Sequence, residues 1–215
     1  MRKLAFLSAL VILAGILSFS TQAFGQSGSK VLMIPREGFS SDLDLMIKME
    51  VGVMTILLKN AGYDVDIATT SRQNILGPTQ KIEKVKRLSE IKLGNYAGVI
   101  MPCMAVGMFP GPPVSSDAVM IVKKAASDGK PVAAAAKSSI ILAEAGLLKG
   151  KKYAFFQDPL VATKLIPRTD PRFEGAIYSG SGVVEDGKII TSGVCPNLQR
   201  MFGKQEGTIE LYIAQ

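Results

Sequence analysis

Four short apolar runs, most of them bounded by proline or glycine, constrain this chain more than any other feature. They are Lys30–Pro35 (KVLMIP), Val65–Ala68, Gly98–Pro102 (GVIMP) and Pro131–Ala135. Each is too short for a helix, and most are too continuously apolar for a strand with one wet face. Helical spacing fills the gaps between them. Leu43, Met46, Ile47, Val51, Met54, Leu57 and Leu58 fit one face of a helix over 41–61, with Gly62 placed to end it. Ser116–Ser127 reads as a second helix leaving through Asp128-Gly129, and Ser138–Ala145 as a third, closed by Gly146. Lys152–Phe156 suggests another strand. Ile177–Val184 and Lys188–Ser192 flank Glu185-Asp186-Gly187, where Asp-Gly favours a tight hairpin. Alternating strands and helices require an α/β fold with a mostly parallel sheet covered on both faces. Ligands of such sheets collect at the carboxyl ends of the strands, here just after Pro35, Pro102, Ala135 and Ser192.

The N-terminus has a different character. Met1-Arg2-Lys3 is basic, Leu4–Phe19 is almost unbroken apolar residues, and Ala23 and Gly25 follow at signal-peptidase spacing. Residues 1–25 therefore read as a secretory signal, and 26–215 as one exported domain, periplasmic or extracellular, with no membrane span after cleavage. The signal holds two of the 25 basic residues and none of the 18 acidic ones, so net charge falls from +7 to +5 on cleavage. The densest basic run, Lys81, Lys84, Lys86 and Arg87, overlies Ile82, Val85, Leu88 and Ile91 at every third residue. That spacing predicts an amphipathic helical turn with a solvated face, and export removes most nucleic-acid partners. Histidine is absent, which excludes Ser-His and Cys-His dyads and His-based metal sites.

Several segments together carry a family likeness. Lys130–Lys137 (KPVAAAAK), continued by Ile141–Gly150 (ILAEAGLLKG), resembles the PfpI/ThiJ family of the class I glutamine-amidotransferase-like superfamily. KVLMIP, GYDVDIAT, NYAGVIMP and VVEDGKIITS agree with it in order, so the likeness runs from about Lys30 to Ser192. The resemblance implies a flavodoxin-like three-layer sandwich. It also implies a nucleophilic cysteine on a sharp turn, assisted by a carboxylate from the loop after the first strand. Ala136 stands where that cysteine is expected, with Lys137 and Ser138-Ser139 after it. The carboxylate best matches Asp44, or less well Asp42, although Ser41-x-x-Asp44 also fits a capping box. Pro102-Cys103-Met104 replaces the family's Pro-Gly-Gly.

Substitute chemistry has several candidates. Ser138 or Ser139 with Lys137 would be a Ser-Lys pair if the lysine were desolvated, whereas serine there also suits an N-cap. Cys103 and Cys195 each follow a strand at the expected pocket edge, with Met104 beside them. They read either as a disulfide, worth ~4–5 kcal/mol on the chain-entropy model, or as two separate buried thiols. Met101, Cys103, Met104 and Met108 form a soft-sulfur cluster of the kind that suits Cu(I), but methionine is also a common core filler. No metal or cofactor is expected. The sequence thus predicts an exported, non-catalytic domain that binds a small molecule or an envelope protein. A homo-oligomer is expected from the resemblance alone. Two alternatives stay open: a hydrolase-, amidase- or deglycase-like enzyme with chemistry relocated to Cys103 or Ser138/Lys137, and a redox module using Cys103 and Cys195.

Overall fold

Seven strands form the central sheet of the computed structural model, which describes residues 30–103, 114–156, 170–202, 208, 209 and 213. The signal region 1–25, Met104 and the loop Val106–Pro113 lie outside the described residues. The strands are β1 (Lys30–Met33), β2 (Asp64–Thr69), β3 (Val85–Arg87), β4 (Tyr96–Met101), β5 (Val132–Ala135), β6 (Val183–Asp186) and β7 (Ile189–Ser192). Their spatial order is β6-β7-β5-β4-β1-β2-β3, parallel throughout except for the β6–β7 hairpin. The chain builds outward from β1 in one direction through β2 and β3. It then returns to the other side of β1 with β4. The carboxyl ends of β1 and β4 therefore flank the point where strand order reverses.

The apolar runs form strands because both sheet faces are covered. Along β1, Val31 and Met33 enter one core while Leu32 and Ile34 enter the other, as the two-residue period of a strand demands. Helix α1 spans three consecutive stretches: Leu43–Leu45, a π-helical turn Met46–Gly52, and Val53–Asn60. It shares the first core with α4 (Pro196–Phe202) through residues such as Met54 and Leu198. Helices α2 (Ser116–Ser127) and α3 (Ser139–Glu144) pack on the opposite face through Ala118, Val122, Ile141 and Leu142. Gly62 ends α1 at φ +86, and Gly187 turns the hairpin at φ +67, conformations that side-chain-bearing residues rarely adopt.

Four sequence expectations are corrected. The Lys81–Ile91 segment is not helical: Lys81–Ile82 and Val85–Arg87 are strands, followed by a 3-10 turn at Leu88–Glu90. Pairing of Ile67, Ala68 and Thr69 with Val85, Lys86 and Arg87 satisfies its backbone, which an isolated helical turn would do less well. The basic face is nevertheless solvated, as expected, with Lys81, Lys84, Lys86 and Arg87 exposed. Second, only Lys152–Tyr153 of the Lys152–Phe156 segment is a strand, pairing with Ile177–Tyr178 in a separate two-stranded sheet. Third, the hairpin's first strand accordingly begins at Val183, since Ile177–Tyr178 pairs elsewhere. Fourth, no capping box forms at Ser41-x-x-Asp44, because the Asp44 carboxylate leaves its own helix for another chain segment. It accepts hydrogen bonds from the backbone N–H groups of Thr79 (3.0 Å) and Gln80 (2.8 Å).

The amino edge of the sheet is tied by one carboxylate. Asp66 on β2 accepts from Lys86 on β3 (2.7 Å), Tyr96 on β4 (3.0 Å) and Lys30 on β1 (3.2 Å). Partial burial pushes the Asp66 carboxyl up, but the Lys86, Tyr96 and Lys30 hydrogen bonds outweigh it and hold the group below its ordinary range. The folded chain thus ionises Asp66 more readily than the unfolded chain does. Its stabilisation is present above the unfolded value of about 4 and disappears as pH falls through the folded one. Asp66→Asn should lower stability at neutral pH by about 1 kcal/mol, given the half-exposed lysines. Urea melts in an acid series should show the gap to wild type closing below that range. Gly193, just after β7, is constrained differently. A Cβ there would lie 2.6 Å from Ser181 backbone atoms and 2.7 Å from the Phe155 carbonyl carbon. Gly193→Ala should cost about 1–3 kcal/mol, read as a lower urea midpoint with unchanged slope.

Candidate functional site

The junction between β5 and α3 is a strained turn. Ala136 sits at φ +46 with 1% of its surface exposed, and it is one of only two non-glycine residues with positive φ among the described residues. Such a backbone costs of order 1–3 kcal/mol and persists only where the surroundings enforce it. Ala133, Ala135 and Ala136 pack in the same core as Cys103 and Cys195, so the fold holds this geometry by burial. Lys137, the next residue, is half-buried. Desolvation pulls its ammonium below the ordinary lysine range, attraction to Cys103 works against that, and repulsion from Arg172 adds to it.

Neither serine hydroxyl caps α3. Ser138 is fully buried and donates its hydroxyl proton to the Pro102 carbonyl oxygen, linking the turn to the end of β4. It makes no side-chain cap to α3, contrary to the N-cap expectation, because its backbone at φ −64, ψ −19 is already helical whereas a capping residue is extended. Ser139 is also buried, and its hydroxyl has no hydrogen-bond partner among the described residues. The two aspartates are engaged elsewhere. Asp44 binds the Thr79–Gln80 segment, while Asp42 accepts from Arg36 at 3.3 Å and from the Ser40 hydroxyl. Neither carboxylate is drawn into the core that contains Ala136.

A third carboxylate reaches that core. Glu50 has no exposed surface, lies within the π-helical turn of α1, and accepts the Cys103 backbone N–H at 2.8 Å. The widened turn is a local departure of the kind often found at functional sites, and it places an acidic residue on the apolar face of α1. A sequence signal for Glu50 does exist. It falls four residues after Met46 and four before Met54, in the middle of the buried stripe. A charge on an otherwise apolar face marks a side chain with an internal partner.

Cys103 and Cys195 meet beside it. Cys103 follows β4 and Cys195 immediately precedes α4; both are buried, present as free thiols, and hydrogen-bonded to each other. The hydrogen bond with Cys103 pushes the Cys195 thiol well above its ordinary range. Burial and the negative charges of Cys103 and Glu50 add to the effect, against a Leu198 N–H that donates to the sulfur. The two thiols are unequal: the surroundings of Cys195 resist its ionisation, and Cys195 has no exposed surface where Cys103 keeps 4%. Of the candidate pocket, Cys103 and Cys195 come together, while Met104 lies outside the described residues. No group of three or more Cys, Asp or Glu side chains is arranged to hold a metal ion among the described residues.

A mostly parallel sheet covered on both faces, with a strained turn and a buried carboxylate at its carboxyl edge, defines a flavodoxin-like α/β protein. Residues 30–204 match the DJ-1/PfpI family, and the chain belongs to that family. An uncharacterized protein of Methanocaldococcus jannaschii is 28% identical over 91% of this chain and 89% of its own length. A deglycase of Thermococcus kodakarensis is 29% identical over 76% of this chain and 89% of its own length. The crystal structure of a ThiJ/PfpI domain protein from Brachyspira murdochii shares the fold, with a TM-score of 0.58, 15% identity, and coverage of 77% of this chain and 88% of that one.

The Glu50–Cys103 contact generates a stability test. Glu50→Ala strips the buried Cys103 N–H of its acceptor and should cost about 1–3 kcal/mol. Glu50→Gln keeps an acceptor oxygen and should lose less, a ranking that thermal melts of the two variants would establish.

Proposed function

We propose that this chain is an exported member of the DJ-1/PfpI family that works as a binding or accessory protein, without the family's reaction at the strained turn. The observation that carries this reading is Ala136, whose methyl group occupies a buried φ +46 turn. The backbone strain associated with a reactive side chain is present there, but a methyl group can neither attack a carbonyl nor form a thiolate. The Ser-Lys alternative draws no support from Ser138, whose proton is committed to the Pro102 carbonyl. Export rests on the basic, apolar and small-residue pattern of residues 1–25. Among the described residues no helix is long and apolar enough to cross a membrane.

The same geometry supplies the test. Purified mature chain should show no amidase or deglycase activity. Ala136→Cys places a thiol on a turn already bent for it, in the same core as Cys103, whose backbone N–H the Glu50 carboxylate accepts. The variant should gain rapid alkylation at residue 136 and measurable turnover of a deglycase substrate. Deglycase activity in the unmodified chain would overturn the reading, all the more if Cys103→Ser abolished it.

A further inference from the structure

The thiol pair is not used by the binding reading, and its arrangement has chemical consequences of its own. Cys103 and Cys195 come from segments 92 positions apart in sequence, yet their side chains hydrogen-bond in a buried core. The two sulfurs are hydrogen-bonding partners, and so are the pair of atoms that a disulfide bond of ~2.05 Å would join. Two structural features keep them poised. Glu50 holds the Cys103 backbone N–H, and Leu198 donates its N–H to the Cys195 sulfur. Each cysteine is therefore anchored by a partner on a helix of the same core.

We propose that Cys103 and Cys195 form a reversible dithiol–disulfide site that reacts with small hydroperoxides. The two sulfurs have separate roles. Cys103, which keeps 4% of its surface exposed where Cys195 has none, is the attacking sulfur, because an oxidant must reach it first. Cys195 stays protonated and resolves the product. In the first step the Cys103 sulfur attacks one peroxide oxygen; an S–O bond forms and the O–O bond breaks. The departing hydroxide, or alkoxide from an organic hydroperoxide, takes up the proton that Cys103 gave up and leaves as water or alcohol. In the second step the Cys195 sulfur attacks the sulfenic sulfur of Cys103, forming the S–S bond and breaking the S–O bond. The displaced hydroxide takes the Cys195 proton and leaves as water. Two thiols are thus oxidised by two electrons while one hydroperoxide is reduced, and an external thiol reverses the change through a mixed disulfide. Burial of both sulfurs selects a small oxidant over a bulky protein disulfide. The new bond would join the end of β4 to the start of α4 beside Ala136. The inference goes beyond the binding reading and stands whether or not a ligand occupies the turn.

Intact-mass and peptide mapping of the mature chain provide the test. Protein reduced with dithiothreitol and then given an equivalent of hydrogen peroxide should lose two hydrogens and yield a Cys103–Cys195 cross-linked peptide. Dithiothreitol should restore the free thiols with the circular dichroism spectrum unchanged. Cys195→Ser should stop at a sulfenic acid on Cys103, trapped by dimedone, whereas Cys103→Ser should slow peroxide consumption by at least about tenfold. The proposal is overturned if peroxide leaves both thiols alkylatable after denaturation, or if wild type accumulates over-oxidised Cys103 without the cross-link. A cross-link that dithiothreitol opens only on unfolding would equally overturn it, since the bond would then be permanent and structural. Loss of the peroxide reaction leaves the Ala136→Cys result untouched, so the two proposals fail separately.

Discussion

A carboxylate with no exposed surface must find its donors inside the protein, and Glu50 finds one in the Cys103 backbone N–H. That bond joins the first helix to the end of β4, the strand beside β1 at the reversal of strand order. Much of the carboxyl edge follows from it. Cys103 is fixed at the strand terminus and its thiol is directed toward Cys195. The preceding Pro102 presents its carbonyl to Ser138, which anchors the turn containing Ala136. Burying a carboxyl group among apolar residues is costly, and the chain accepts a π-helical turn in α1 at the place where that group enters the core.

The two edges of the sheet use acidic residues differently. At the amino edge Asp66 gathers Lys30 from β1, Lys86 from β3 and Tyr96 from β4, where solvent screens the lysines. At the carboxyl edge Glu50 lies out of reach of solvent, and two thiols and a half-buried lysine are close by. The first arrangement holds the strands in register. The second concentrates unlike ionisable groups in a small, poorly hydrated volume, where each strongly affects the others. The similarity to solved DJ-1/PfpI-type structures, at identities such as 15%, accounts for the shared fold and leaves the chemistry to the residues present.

Much of this architecture is legible in the sequence because continuous burial leaves a plain mark. KVLMIP, GVIMP and PVAAA read directly as inner strands, and VVEDGKII as a hairpin, since nothing else suits short apolar runs cut by turn residues. The segment at Ile82, Val85, Leu88 and Ile91 misled for the opposite reason. A helix-like spacing arose from a strand and a 3-10 turn in succession, and only pairing with β2 decides between them. The site was partly legible. Ala136, Lys137, Cys103 and Cys195 could be located from their flanks, whereas periodicity puts Glu50 on the apolar stripe of α1 but does not say what it binds. Its partner, the Cys103 N–H, lies 53 positions away, a non-local contact that spacing along α1 does not encode. Asp44 was the more visible choice, yet its carboxylate serves the distant Thr79–Gln80 backbone, a non-local contact that spacing along the chain does not encode.

The positive φ at Ala136 has an evolutionary implication. If the bend depended on the chemistry of the residue at its tip, removing that chemistry would let the backbone relax. Here an alanine keeps the bend, so neighbouring packing must maintain it. A lineage could then gain or lose a side-chain sulfur at this point by point substitution, without rebuilding the loop around it. The scaffold would serve as a memory of the reaction, retaining the shape of the site through periods when the reaction itself was not selected.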